Sequence, residues 1–292
     1  MFRLGIIGSD NSHAETFSKL ANFGALDGTH YDDVRVTHIY GTDPARTRQV
    51  ADAGNIGHVV SKAEDMIGKV DGVLCVWRHG AKHLADTLPF LEAGIPAFVD
   101  KPLATTVGDA TKLVTAAEHA GVGFTSFSTL RFANSMSAFN AEVEEAAGEL
   151  TAGVSTCPVD LESEYGGAFF YGIHAVEMMH AVWGYGCESV CANAQHKNVM
   201  AVCRFESGPL VTLNLLGDAA HVFHVSAFGR KGNLAAPIDS GSGYRTGLQV
   251  IVDTLRLNEW PLTREQLLEP IRVMSALLKS LEEGREVRLD EV

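Results

Sequence analysis

Three groups of polar residues in this sequence could do chemistry. Asp100-Lys101-Pro102 sets a carboxylate beside an ammonium. The run Gly166-Gly167-Ala168-Phe169-Phe170-Tyr171-Gly172-Ile173-His174-Ala175-Val176-Glu177 ends in an imidazole and a carboxylate at helical spacing. An imidazole titrates near neutral pH and can take up and return a proton, while an ammonium favours an oxygen that gains negative charge. Glu177 lies one helical turn from His174, so both can face one side, where Glu177 could hold the imidazole tautomer or contact a substrate. The third group is the turn Gly8-Ser9-Asp10-Asn11-Ser12-His13.

A dinucleotide-binding turn reads G-x-G-x-x-G, and only its first glycine is present here. Asp10 stands where the second glycine lets backbone approach a diphosphate. Two like charges about 4 Å apart repel by roughly 1 to 4 kcal/mol, so Asp10 must turn away, be neutralised or weaken such binding. Ser9, Asn11, Ser12 and a helix N-terminus remain candidate anion donors. His13 replaces a glycine where the first helix meets this turn, and either points into the site or caps and packs the helix. The position at which an acid would grip the adenosine ribose falls at Gly41, followed by Thr42 and Asp43. Asp43 would serve if the loop shifts; its other reading is the cap of a helix begun by Pro44.

The elements that must position these groups follow an α/β rhythm. Short β-rich runs at Leu4–Ile7, Val34–Tyr40, Gly72–Trp77 and Ala97–Val99 alternate with helical patterns that open near Ser12, Pro44, Ala81 and Val107. This is the signature of βαβ units around a parallel sheet, and it sets Asp100-Lys101-Pro102 at a strand's carboxyl end, where such sheets bind ligands. After about Phe124 the rhythm changes. Strands at Val190–Gln195, Val199–Phe205, Leu210–Leu216 and His221–Phe228 read as an antiparallel meander, with turns at Ser207-Gly208 and Arg230-Lys231-Gly232. Helices over about 245–257 and 264–282 end the chain, the last opened by Thr263-x-x-Gln266 and closed by Gly284. The expected architecture is a Rossmann-type parallel-sheet domain over 1–122 and an α+β domain with an open, largely antiparallel sheet over 123–292.

Together, Asp100-Lys101-Pro102 and the Gly166–Glu177 run resemble the two chemical stations of the Gfo/Idh/MocA family (glucose-fructose oxidoreductase and inositol dehydrogenase-like proteins). Its members carry Glu-Lys-Pro after a strand, then a glycine-rich segment leading into Gly-x-His-x-x-Asp. Supporting matches are His83, Ala93-Gly94, Arg131-Phe132 and the terminal strands and helices, so the resemblance spans the chain. It implies hydride transfer between a nicotinamide cofactor, NAD or NADP, and a secondary alcohol or ketone of a sugar, polyol or related metabolite. Lys101 would orient the substrate hydroxyl, and His174, assisted by Glu177, would accept its proton. The residues expected at the cofactor are Gly8, Ser9, Asp10, Asn11, Ser12, His13, Thr42, Asp43, His79, His83, Asp100 and Lys101; those expected at the substrate are Arg131, Tyr165 and Tyr171. The resemblance also implies a homodimer or homotetramer formed through the second-domain sheet.

The sequence departs from the family pattern where ligands would bind. Phe170 stands where the family has an aspartate four residues before the histidine, Asp100 replaces glutamate, and Glu177 replaces aspartate. Tyr171, Tyr165, Arg78 and His79 could compensate for the lost acid. His174, Glu177 and His180 share helical spacing, but an i, i+6 offset spreads the two histidines too far round a helix, and the sequence is read as having no metal site. Arg46 reaches a ribose 2′-phosphate only if its loop folds back.

Composition narrows the partners. A net charge of −13 without a basic cluster speaks against nucleic acid and anionic membranes, leaving a small molecule. Five cysteines without a Cys-x-x-Cys pair read as reduced packing residues. The brief apolar start and the lack of a run of about 20 apolar residues point to the cytoplasm. Beside the dehydrogenase reading stand a ligand sensor that keeps the scaffold with eroded cofactor binding, and a redox-assisted elimination or hydrolysis that recycles its cofactor.

Overall fold

The structure, a computed structural model, describes residues 1–25, 31–206 and 208–292. Its contacts divide the chain into two units. The first comprises 1–104, 108–127 and 244–264, and the second 105–107, 128–243 and 265–292.

In the first unit, β1 (Phe2–Ile7), β2 (Val34–Tyr40), β3 (His58–Val59), β4 (Gly72–Cys75), β5 (Ala97–Val99) and β6 (Phe124–Thr125) make one sheet in the order β3-β2-β1-β4-β5-β6. All neighbours are parallel. Leu4, Ile6, Ile7, Val73, Leu74, Phe98 and Val99 are fully buried, as strands flanked by helices require. The connecting helices are α1 (Ser12–Phe23), α2 (Pro44–Gly54), α3 (His83–Glu92) and α4 (Val107–Ala120). Strand order reverses between β1 and β4, so the loops after these strands flank the crevice in which such sheets bind ligands.

The second unit is built on β7 (Leu150–Pro158), β8 (Cys187–Gln195), β9 (Asn198–Phe205), β10 (Leu210–Leu216), β11 (His224–Gly229), β12 (Asn233–Pro237) and β13 (Val287–Arg288). Their order is β12-β11-β7-β10-β9-β8-β13. The expected meander holds for β8, β9 and β10, then breaks: β7 lies between β10 and β11, parallel to the first and antiparallel to the second. Leu150–Pro158 is rich in small and polar residues, which hid a central strand from a reading based on apolar alternation. Ser207 of the expected Ser207-Gly208 turn lies outside the described residues.

The helices of the carboxyl-terminal half are α5 (Asn134–Ala147), α6 (Phe169–Trp183), α7 (Gly243–Leu257) and α8 (Arg264–Glu283). Helix α6 lies on β7. The Ser155 hydroxyl donates to Ala175 O at 2.7 Å, and a Cβ on Gly153 would sit 1.8 Å from the Trp183 indole, so only glycine admits that ring. Helix α7 differs from the single boundary expected at 122/123, because from Tyr244 onward it belongs to the first unit. Its Leu255 packs against Gly72 of β4, where a Cβ would lie 3.1 Å from Leu255 Cδ1. An amphipathic pattern says that a helix must cover a sheet, and says nothing of which one.

Candidate active site

The first station is the turn after β1. Gly8 has φ +101° and its N–H donates to Tyr40 O at 2.9 Å. A Cβ there would lie 2.8 Å from Trp77 N, so this one fingerprint glycine is required by its own backbone and by the neighbouring strand end. Asp10 is held by the Arg78 N–H, which donates to its Oδ1 at 3.2 Å. Two residues expected as anion donors have their side chains engaged within this unit. The Ser9 side chain turns inward, Oγ 2.8 Å from Thr47 Oγ1, and Asn11 caps α1 while its Nδ2 donates to Asp100 Oδ2 at 3.2 Å. Ser12 is exposed at the N-terminus of α1.

His13 and Asp100 form the buried centre of this station. His13 Nδ1 lies 2.6 Å from Asp100 Oδ2, and the ring packs edge-on to Tyr244 and Phe17. Burial pushes the fully enclosed Asp100 carboxyl up, but the charge and hydrogen bond of His13, with Lys101 and His83 behind it, hold the group below its ordinary range. The other Asp100 oxygen accepts the Lys101 N–H at 2.9 Å. The acid of this tripeptide therefore braces the backbone that carries Lys101, whose residue is 6% exposed at the carboxyl end of β5. His83 and His79, expected at the cofactor, are engaged elsewhere. The His83 ring is fully buried with its nitrogens 3.0 and 3.3 Å from Trp77 O and Leu103 O, and His79 Nδ1 accepts the Ala81 N–H at 3.2 Å.

Beyond β2 and β3 a cavity of about 630 Å³ is lined by Tyr40, Gly41, Thr42, Arg48, Val59 and Ser61, among others. Thr42 stands in its wall, whereas Asp43 is not among the described lining residues. Asp43 Oδ1 accepts the N–H groups of Ala45 and Arg46 at 2.9 and 3.1 Å, making it the cap of α2. A Cβ on Gly41 would fall 2.1 Å from Ser9 Oγ and 2.4 Å from Thr47 Oγ1, so the buried Ser9–Thr47 pair occupies the room a ribose-binding acid would need. The apolar walls and the glycine turn fit a dinucleotide.

The second station lies in the other unit, on α6. His174 is nearly buried, with its ring against Phe223 at 5.5 Å and Tyr171 at 6.1 Å. Its Nδ1 is 2.8 Å from the Ser128 hydroxyl. Glu177, expected to hold this imidazole, instead accepts the Ser128 N–H at 3.2 Å and forms an ion pair with Arg131. Arg131, expected at the substrate, is thereby engaged, its guanidinium 5.5 Å over the Tyr185 ring. Tyr165 and Tyr171 both pack on Phe170, the residue that replaces the family aspartate. His180 stacks on Tyr185 and sits 2.8 Å from Gly184 O; burial, with the Arg131 charge, pushes it down to about 3, so it is neutral. Sequence reasoning missed Ser128 and Thr47, since neither lies in a motif; the one signal for Ser128 is its place just ahead of Arg131-Phe132.

Residues 2–127 match the profile of the Gfo/Idh/MocA family, described as an oxidoreductase family with an NAD-binding Rossmann fold. Over these residues the chain is similar to that family. The likeness of fold extends further. The scyllo-inositol dehydrogenase from Lactobacillus casei, solved with NAD(H) and scyllo-inositol, superposes with a TM-score of 0.84 at 17% identity, covering 99% of each chain. The myo-inositol dehydrogenase from Corynebacterium glutamicum gives 0.81 at 19% identity over 99% of each chain. The myo-inositol 2-dehydrogenase from Lactobacillus plantarum gives 0.84 at 14% identity, over 98% of this chain and 99% of its own. Among curated proteins no sequence matches the chain. The second unit thus shares the fold of these enzymes.

Proposed function

We propose that this protein is a dehydrogenase of the Gfo/Idh/MocA family that oxidises a secondary hydroxyl of a polyol or sugar and reduces the corresponding ketone. A bound nicotinamide supplies the hydride acceptor or donor. The observation that carries the reading is the braced strand end of the Rossmann unit, where buried Asp100, tied to His13 and Asn11, fixes the backbone of Lys101. A lysine presented there holds an ammonium toward a substrate hydroxyl and favours the oxygen as its proton leaves. His174 takes that proton. Its Nδ1 is fixed by Ser128, and when the hydroxyl accepts from Nδ1–H the opposite nitrogen keeps its lone pair and can act as the base. The solved relative with scyllo-inositol supports a cyclic polyol as the first substrate to try.

The roles of substrate domain and oligomer interface are assigned to the second unit. The outer face of its sheet exposes Met200, Leu210 and Phe228, which supports a homodimer or homotetramer that covers it. Five free cysteines, four of them buried, fit a reducing cytoplasm, and no helix among the described residues is long and apolar enough to cross a membrane.

The test is calorimetric titration with NAD(H) and NADP(H), followed by turnover on inositols and other polyols. Micromolar dinucleotide binding is expected, with Lys101→Met and His174→Ala keeping it while losing turnover by about a hundredfold or more. Absence of dinucleotide binding up to millimolar concentration would sink the dehydrogenase and leave a ligand sensor.

A further inference from the structure

We infer that the adenosine end of the Rossmann unit is built for a phosphorylated ribose, so that the protein takes NADP(H) in preference to NAD(H), with Arg48 as the partner of the 2′-phosphate. The inference rests on the dinucleotide reading above and goes beyond it.

An NAD site of this fold places a carboxylate after the second strand, where it accepts hydrogen bonds from the free ribose hydroxyls. Here that carboxylate is missing for a steric reason. Gly41 occupies the position, and any side chain on it would collide with Ser9 Oγ and Thr47 Oγ1. Those two atoms are paired with each other at 2.8 Å in a buried setting, and Thr47 Oγ1 also donates to Asp43 O at 2.6 Å, so neither is at liberty to swing aside. Asp43, the next acid along the chain, has its Oδ1 engaged by two N–H groups of α2. Asp65, across the loop after β3, accepts from the Lys62 N–H and the Ser61 hydroxyl, both at 3.2 Å, and is absent from the cavity wall.

What lines the cavity instead is suited to an anion. Among the described lining residues none is acidic, and Arg48 is the one that carries charge. Thr42 and Ser61 add hydroxyl groups to the same wall, while Tyr40, Val59 and Val60 supply apolar surface for a base. The other arginine at the start of this helix points elsewhere: Arg46 Nε donates to Ser9 O at 3.2 Å, and its guanidinium faces Glu15. Among the described lining residues a ribose bearing two hydroxyls would find no acceptor carboxylate, and a ribose bearing a 2′-phosphate would find the Arg48 guanidinium and the Thr42 hydroxyl.

The experiment is calorimetric titration of the intact protein with NADP+, NAD+, 2′,5′-ADP and 5′-ADP, repeated with Arg48→Ala and Arg48→Lys. Arg48 is exposed, so both variants should fold, which far-UV circular dichroism checks. NADP+ is expected to bind at least about tenfold more tightly than NAD+, and 2′,5′-ADP more tightly than 5′-ADP, the margin shrinking with added salt. Arg48→Ala should bring NADP+ to the level of NAD+ and leave NAD+ unchanged, with Arg48→Lys in between. Equal or tighter binding of NAD+ by the parent overturns the inference while leaving the dehydrogenase standing. A preference for NADP+ that survives Arg48→Ala overturns the assignment to Arg48. No binding of either dinucleotide removes the dinucleotide reading itself.

Discussion

The Ser128 hydroxyl lies 2.8 Å from Nδ1 of His174, so the imidazole of the second unit is held by a serine and the nearby carboxylate, Glu177, is turned to Arg131. A hydroxyl fixes the orientation of the ring without placing a full negative charge behind it. Ser128 also accepts the Leu130 N–H at 3.2 Å, which limits its own rotation.

Ser128→Ala should therefore lower kcat by about tenfold to a hundredfold with little change in KM, and should displace the pH profile of kcat. Ser128→Thr should recover most of the loss. An unchanged profile in the alanine variant would show that the serine does not position the base.

His13→Ala leaves the Asp100 carboxylate buried without its imidazole and should cost about 3 to 5 kcal/mol at pH 7, read by urea denaturation. The pH dependence has a definite sign. In the parent the Asp100 pKa is depressed, so its stabilisation is present above the ordinary carboxylate value and is lost as pH falls through the folded value. Without His13, burial dominates and raises the pKa, so the variant should close the gap to the parent as pH is lowered from 7 toward 5. A gap that stays constant over that range contradicts the charge pairing.

His180 carries the same sign over a higher pH range. Its imidazole is pushed down from 6.5 to about 3, so the unfolded chain gains a proton first and stability falls between these values, by about 1.4 kcal/mol per pH unit in the limit of one group. His180→Phe, which keeps an aromatic ring on Tyr185, should be less stable at pH 7 by about 1 kcal/mol for the lost hydrogen bond and should show a flatter decline toward pH 4.5. Parallel stability curves for parent and variant would refute this account.

Gly153→Ala tests how α6 is seated. The new methyl would drive into the Trp183 indole, and overpacking of this kind costs about 1 to 3 kcal/mol. The tryptophan emission should shift as the ring is displaced. A variant with parental stability and emission would mean that the helix has slack on β7.

The sequence by itself determined the parallel-sheet domain, because strands buried on both faces read as apolar runs and their helices are bracketed by caps such as Asp43-Pro44 and by Gly94 and Gly121. It also determined Lys101 and His174 as the residues to examine, since each sits in a local motif. The tertiary structure alone decided their partners. Asp100 meets His13 across 87 positions and His174 meets Ser128 across 46, and no local period encodes such pairs. For the same reason Glu177 looked like the orienting acid of His174: helical spacing places two side chains on one face, but the competing cation, Arg131, arrives from another part of the chain. Strand β7 and the return of α7 to the first unit also escaped the sequence. Polar, small residues can occupy a central strand when a helix packs closely on them, and an amphipathic helix carries no mark of the sheet it will cover.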